Sequence, residues 1–108
     1  MPLSREFKEL VVARAENDPD FRKGMIVEAI NMILGGEIVA GRIMLRDYIN
    51  ATGAMDDLCR ELNKHKSAIS RMLGPSGNPT LESIVPLIRA CAGREKLNPT
   101  VCMDHCAG

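Results

Sequence analysis

Aromatic side chains are scarce in this 108-residue chain: there is no tryptophan, and Phe7, Phe21 and Tyr48 are the whole aromatic complement. A core built around large rings is therefore excluded, while the many Leu, Ile, Val and Ala, joined by seven methionines, suit helices packed through aliphatic side chains. No apolar run approaches the ~18 residues that begin to span a bilayer. The opening MPLSREFKEL has neither a basic leader nor an apolar signal core, so no membrane contact is expected and a cytoplasmic location is. In that compartment the four cysteines, Cys59, Cys91, Cys102 and Cys106, are expected as thiols rather than as a disulfide frame. Net charge is lacking as well. The 14 basic residues balance 14 acidic ones, which removes any general attraction to phosphate and leaves only local arguments for nucleic acid. Strand-like alternation and internal repeats are absent, and the length suits one domain of about four to six helices.

What is present reads as a succession of helices. Ser4 is a good N-cap for a helix to about Ala15, with Phe7, Leu10, Val11 and Arg14 at helical spacing. Asn17, Asp18 and Pro19 interrupt it. Asp18 and Pro19 then open a second helix with a stripe of Phe21, Met25, Ile26, Ala29, Ile30, Ile33 and Leu34, ended by Gly35 and Gly36. A third, from about Glu37 to about Ala51, aligns Ile38, Gly41, Arg42, Leu45 and Ile49 and stops at Gly53, which turns left-handed without strain. Thr80 caps a later helix carrying Leu81, Ile84, Val85, Leu87 and Ile88 to about Cys91; Pro86 predicts a kink or irregularity, because it lacks an N–H and crowds the preceding turn. From Gly93 onward the chain reads as a tail.

The stretch Met55 to Met72, MDDLCRELNKHKSAISRM, is the most informative. Leu58 and Leu62 lie one helical turn apart, compact Cys59 permits a close crossing, and Asn63 occupies a turn that demands positive φ, which Asn tolerates best after Gly. Beyond the turn, Ile69, Met72 and Leu73 form an apolar face directed back at the first helix and leave Lys66, Ser67, Ser70 and Arg71 outside. These are the offsets of a helix-turn-helix, which lays its second helix into a DNA groove. Charge agrees. No acidic residue lies between Glu61 and Glu82, while Lys64, His65, Lys66 and Arg71 crowd the turn and the second helix, so a phosphate backbone meets only positive or neutral groups there. The competing reading is a solvated helix pair with no DNA role.

Side-chain chemistry assigns roles within this segment. Arg71 is long enough to fork onto guanine O6/N7 or a phosphate, Lys66 reaches a base or a backbone oxygen, and Ser67 and Ser70 bond either. The helix N-terminus adds its partial positive charge and free N–H groups. In the loop GPSGNP, Asn78 and the backbone around Gly77 are candidates for a neighbouring phosphate, although GNPT serves equally to turn the chain and cap the next helix.

The stretch DYINATGAMDDLCRELNKHKSAISRMLGPSGNPTLESIVPLIRA resembles the lambda-repressor/Cro-like helix-turn-helix fold, and within it the probable addiction-module antidotes, the HigA-like antitoxins. The likeness is carried by LRDYINAT before the motif, the LxxxL of Leu58 and Leu62, SxxSRML ending at Leu73, and GNPT at Gly77 to Thr80. It covers about residues 37–92, and the preceding segment is similar to the helical lead-in of the same regulators. The chain departs from the pattern at Asn63, usually Gly, at Cys59, usually Ala, and at Pro86. The resemblance implies an all-α, lambda-repressor-like helix-turn-helix domain in residues 37–93, an N-terminal helical extension for packing, dimer or partner contacts in 1–36, and a flexible tail in 94–108. It further implies a homodimer on a palindromic operator in double-stranded DNA, often controlling its own promoter, with Lys66, Ser67 and Arg71 at base edges and Ser70 beside them. In the antitoxin branch it implies neutralisation of a RelE/ParE-like toxin.

Other constellations point to less. Cys102, Asp104, His105 and Cys106 are metal-ligand types, but their spacing is unlike the paired CxxC of zinc knuckles and adjacent His105 and Cys106 do not readily face one ion; no metal or other cofactor is expected. No scaffold holds a base beside those thiols, no phosphate-cradling glycine loop occurs, and Asp56 and Asp57 read as first-turn charges favoured by the helix dipole, so enzymatic activity is not expected. The first two helices carry surplus apolar surface, and Phe7, Leu10, Val11, Ile26, Ile30 and Ile33 are the candidates for a dimer or toxin interface. The expected function is a sequence-specific, dimeric transcriptional regulator, with the alternative of an antitoxin whose main role is binding its toxin.

Overall fold

The helix boundaries follow local chemistry. The computed structural model describes residues 5–105 and contains α1 (Arg5–Asn17), α2 (Pro19–Leu34), α3 (Ile38–Thr52), α4 (Met55–Leu62), α5 (Lys66–Leu73) and α6 (Leu81–Arg94), with no strand among the described residues. The fold is all-α. The expected Ser4 cap lies outside the described residues. At the start of α2, Asp18 is extended and its carboxylate accepts from the Phe21 amide at 3.1 Å, with Pro19 in the first turn where no backbone bond is lost. Helix α3 stops at Gly53, whose φ of 67° places it in the left-handed region. Thr80 caps α6 by accepting from the Ser83 amide at 3.2 Å. No helix among the described residues is long and apolar enough to cross a membrane.

Packing joins the helices around one cluster. Ile26 and Ala29 of α2, Leu45, Tyr48 and Ile49 of α3, Leu58 of α4, Ile69 and Leu73 of α5, and Leu87 and Cys91 of α6 are buried together. The closest approach is at Gly41, where a Cβ would lie 2.5 Å from Ile33 Cγ1 and 2.8 Å from the Ala29 carbonyl oxygen; any larger residue forces α2 and α3 apart. Residues assigned to an extension therefore supply part of the core. Ile26 is fully buried, and Ile30, Ile33 and Val11 pack against the cluster, which leaves Phe7 and Leu10 as the exposed members of the apolar set proposed for partners.

The C-terminal part differs from its sequence reading in two ways. Helix α6 runs unbroken through Pro86 to Arg94, beyond the expected stop at Cys91. Pro86 is exposed and deprives only the Glu82 carbonyl of its intrahelical donor; Glu82 is itself exposed, so water replaces the bond. The packed body also extends past Gly93. The buried Glu95 carboxylate accepts from Arg22 Nε at 3.0 Å and from the Tyr48 hydroxyl at 2.6 Å, and Arg22 donates to the Ala15 carbonyl at 2.6 Å. This network ties the ends of α1 and α6 to α2 and α3, and each buried charge in it has a partner, as burial requires. Burial and the bond to Glu95 push the Tyr48 hydroxyl pKa upward. Leu97 packs against the core too, so the tail begins beyond it.

Candidate nucleic-acid interface

Two eight-residue helices and the turn between them build the site. Leu58 anchors α4, which ends at Asn63 with φ 52° and ψ 50°, the left-handed conformation that the short amide side chain tolerates. The Lys64 amide closes the turn on the Cys59 carbonyl at 3.0 Å. His65 is extended, and its carbonyl accepts from the Ala68 and Ile69 amides at 3.0 and 3.2 Å, which launches α5. Ile69 and Leu73 are both 0 % exposed. Lys66, Ser67, Ser70 and Arg71 are all exposed: Ser67 and Arg71, one turn apart, lie opposite the buried Ile69 and Leu73, Ser70 flanks them, and Lys66, in line with Ile69 and Leu73, is exposed in the first turn of the helix.

His65 and Asn78 are exposed and Lys64 is half-buried in the turn. The loop that carries Asn78 is folded back on α5. At Gly77 a Cβ would stand 2.2 Å from the Arg71 carbonyl oxygen, so only glycine allows this contact, and it brings the exposed Asn78 beside the C-terminal end of α5. The sequence-derived candidates thus fall into a group of four exposed residues on α5, a pair at the entry to that helix, and one residue at its far end.

The cations at this edge stand without ion pairs among the described residues, as Lys8, Lys23, Arg46, Arg89 and Lys96 do elsewhere, but here they gather around one turn and helix that carry no acidic residue. Arg5, Arg14, Arg22, Arg60 and Arg94 each lie within ion-pair distance of a carboxylate, Arg60 and Arg94 sharing Asp57. Lys64, Lys66 and Arg71 make no such pair among the described residues. No side chain caps the N-terminus of α5, so its first-turn amides and their partial positive charge add to these cations. The surface is cationic and rich in hydrogen-bond donors.

One residue that supports the site was not singled out from the sequence. Arg42 of α3 is only 4 % exposed, and its Nη1 donates to the Met72 carbonyl at 2.9 Å and the Gly74 carbonyl at 2.7 Å, while its Nε is buried without a partner. It caps the last turn of α5 from inside the protein and compensates the negative end of that helix. The signal was in plain view: an arginine at the spacing of Gly41, Leu45 and Ile49 must be buried, and a buried guanidinium requires carbonyl or carboxylate acceptors.

No group of His, Cys, Asp or Glu capable of holding a metal occurs among the described residues. Cys102, Asp104 and His105 are exposed, and Cys106 lies outside the described residues. Cys59, Cys91 and Cys102 are free thiols, and burial pushes the Cys91 thiol up to about 12, which keeps it protonated and unreactive at neutral pH. Comparison of the chain with protein families, with curated proteins and with solved structures yields no match.

Proposed function

We propose that the protein is a sequence-specific DNA-binding regulator of the lambda-repressor-like kind, in which α4 and α5 act as a helix-turn-helix and α5 enters the major groove. The observation that carries this reading is the segregation on α5: Ile69 and Leu73 are fully buried while Lys66, Ser67, Ser70 and Arg71 are exposed, with no acidic neighbour on the same helix. Arg71 reads a guanine edge or grips a phosphate, Lys66 and the two serines fix the register, and Lys64, His65 and Asn78 flank the backbone contacts. One copy of so short a helix reaches few phosphates. A homodimer reading two half-sites ~34 Å apart on a palindromic operator supplies the missing affinity. A cytoplasmic location goes with this role.

Selection of duplexes from a random pool, followed by affinity measurement at several salt concentrations, tests the reading. The expected result is a preferred sequence whose affinity falls steeply with salt, and an Arg71→Ala variant that binds ~5–150-fold more weakly, the loss of ~1–3 kcal/mol for one bidentate contact. Failure to enrich any duplex, or full affinity in Arg71→Ala, overturns it. The antitoxin reading adds a RelE/ParE-like toxin partner; it rests on the resemblance of residues 37–92 and is tested by co-purification with the product of the adjacent reading frame.

A further inference from the structure

The groove bounded by α1, α2 and α3 is a surface of another kind. Its volume is about 610 Å³, within the ~300–1,000 Å³ of typical small-molecule sites. The floor is apolar and adaptable, with the Phe21 ring and the thioethers of Met25 and Met44. The walls are acidic. Asp18, Asp20, Glu28 and Asp47 line it against a single guanidinium, that of Arg14. That guanidinium is already engaged, 4.9 Å above the Phe21 ring and 3.6 Å from Asp18.

The carboxylates of Asp20, Glu28 and Asp47 have no ion pair or hydrogen bond among the described residues. Asp47 is half-buried and burial raises its pKa, with Arg46 and Lys8 acting on it only through space. A carboxylate held beside apolar surface without a partner is a place where a positive charge is favoured. The apolar floor suits an organic body rather than a bare metal ion, and a handful of side chains falls well short of the ~800 Å² per partner of a stable protein interface.

We propose that this groove binds a small lipophilic organic cation, its apolar body resting on Phe21, Met25 and Met44 and its charge beside Asp47. The inference is independent of the DNA-binding reading, since it uses a different surface and its test contains no DNA. Calorimetric titration of the full chain with tetraphenylphosphonium and with tetraphenylborate, two ions of like size and shape and opposite charge, separates charge from greasiness. The phosphonium should bind at one site about tenfold or more tighter than the borate, and Asp47→Asn should weaken it about fivefold or more.

Gly24 provides a variant that blocks the groove without disturbing the core. It lines the groove, and a Cβ added there meets no atom within 4 Å. Gly24→Leu should abolish phosphonium binding while the melting temperature holds or rises, because a helical glycine is removed. Equal affinity for the two ions, no binding of the phosphonium, or undiminished binding by Gly24→Leu each overturns the proposal. The first of these would mark an unselective apolar surface, and the second a face that another protein or a second copy covers.

Discussion

The outer face of α5 and the groove beneath α1 both leave charge without a partner, and they do so with opposite sign. On α5, Lys66 and Arg71 project from a helix with no acidic residue; in the groove, Asp20, Glu28 and Asp47 stand around an apolar floor with the one available arginine already engaged. Both sit on a chain that is formally neutral, its 14 basic residues balancing 14 acidic ones. Screening confines the influence of exposed charges to a Debye length of ~8–10 Å, so a ligand meets the local surplus and never the sum. A third set of ions, Arg22 with Glu95 and Arg42 with two carbonyls, lies inside and serves the fold. The same residue type is a ligand contact, a bystander or a structural tie according to what surrounds it.

The contrast between the two sides of α5 can be broken most forcefully from within. Leu73→Ala, at a fully buried position, should lower the unfolding free energy in urea by ~2–5 kcal/mol. Arg71→Ala, two residues away and exposed, should change it by less than ~0.5 kcal/mol while impairing DNA binding. Similar stability losses in both variants would mean that the outer side is also structural.

Arg42→Met tests whether interior and exterior arginines differ in kind. It strips the donor from the Met72 and Gly74 carbonyls and should cost ~1–3 kcal/mol. Amides in the last turn of α5 and in the loop to Gly77 should then exchange with solvent faster than those of α2. Uniform acceleration throughout the molecule would deny Arg42 a local role.

The smallest effects sharpen the comparison between satisfied and unsatisfied carboxylates. A hydrogen bond from Arg94, helped by Arg60, holds Asp57 below the usual carboxylate range, so its stabilisation is present above the unfolded pKa of ~3.9 and is lost as pH falls through the folded value. Burial moves Asp47 the other way: its folded form favours the proton, so stability is greatest below the unfolded pKa and declines as pH rises through the raised one. At pH 7 Asp57→Asn should therefore lower the melting temperature and Asp47→Asn should raise it. Both differences should fade toward pH 3, and like-signed shifts at neutral pH would contradict the distinction.

Much of the secondary structure was legible because its signals are local. Asp18 with Pro19, Gly53, Asn63 and Thr80 mark helix ends by their own conformational preferences and side-chain acceptors, and all four ends fall where those preferences put them. The placing of Ser67 and Arg71 opposite Ile69 and Leu73 tells which side of α5 is outward. Pro86 misled because a helix in contact with a core tolerates one missing bond at an exposed turn. Glu95 looks like part of a tail from sequence alone because its partners, Arg22 and Tyr48, are 73 and 47 residues away. Arg42 was placed on the inner stripe of α3, yet nothing local announces the Met72 and Gly74 carbonyls it serves.

Periodicity, capping residues and the clustering of cations around α5 were determined by the order of amino acids alone, since each depends on neighbours within one or two helical turns. Which surplus apolar residues would be buried, which arginines would be tied inside, and that four carboxylates would gather around one apolar groove were decided only when distant helices packed. Such outcomes turn on the desolvation and partnering of groups far apart in the chain, and no local signal encodes where those partners meet.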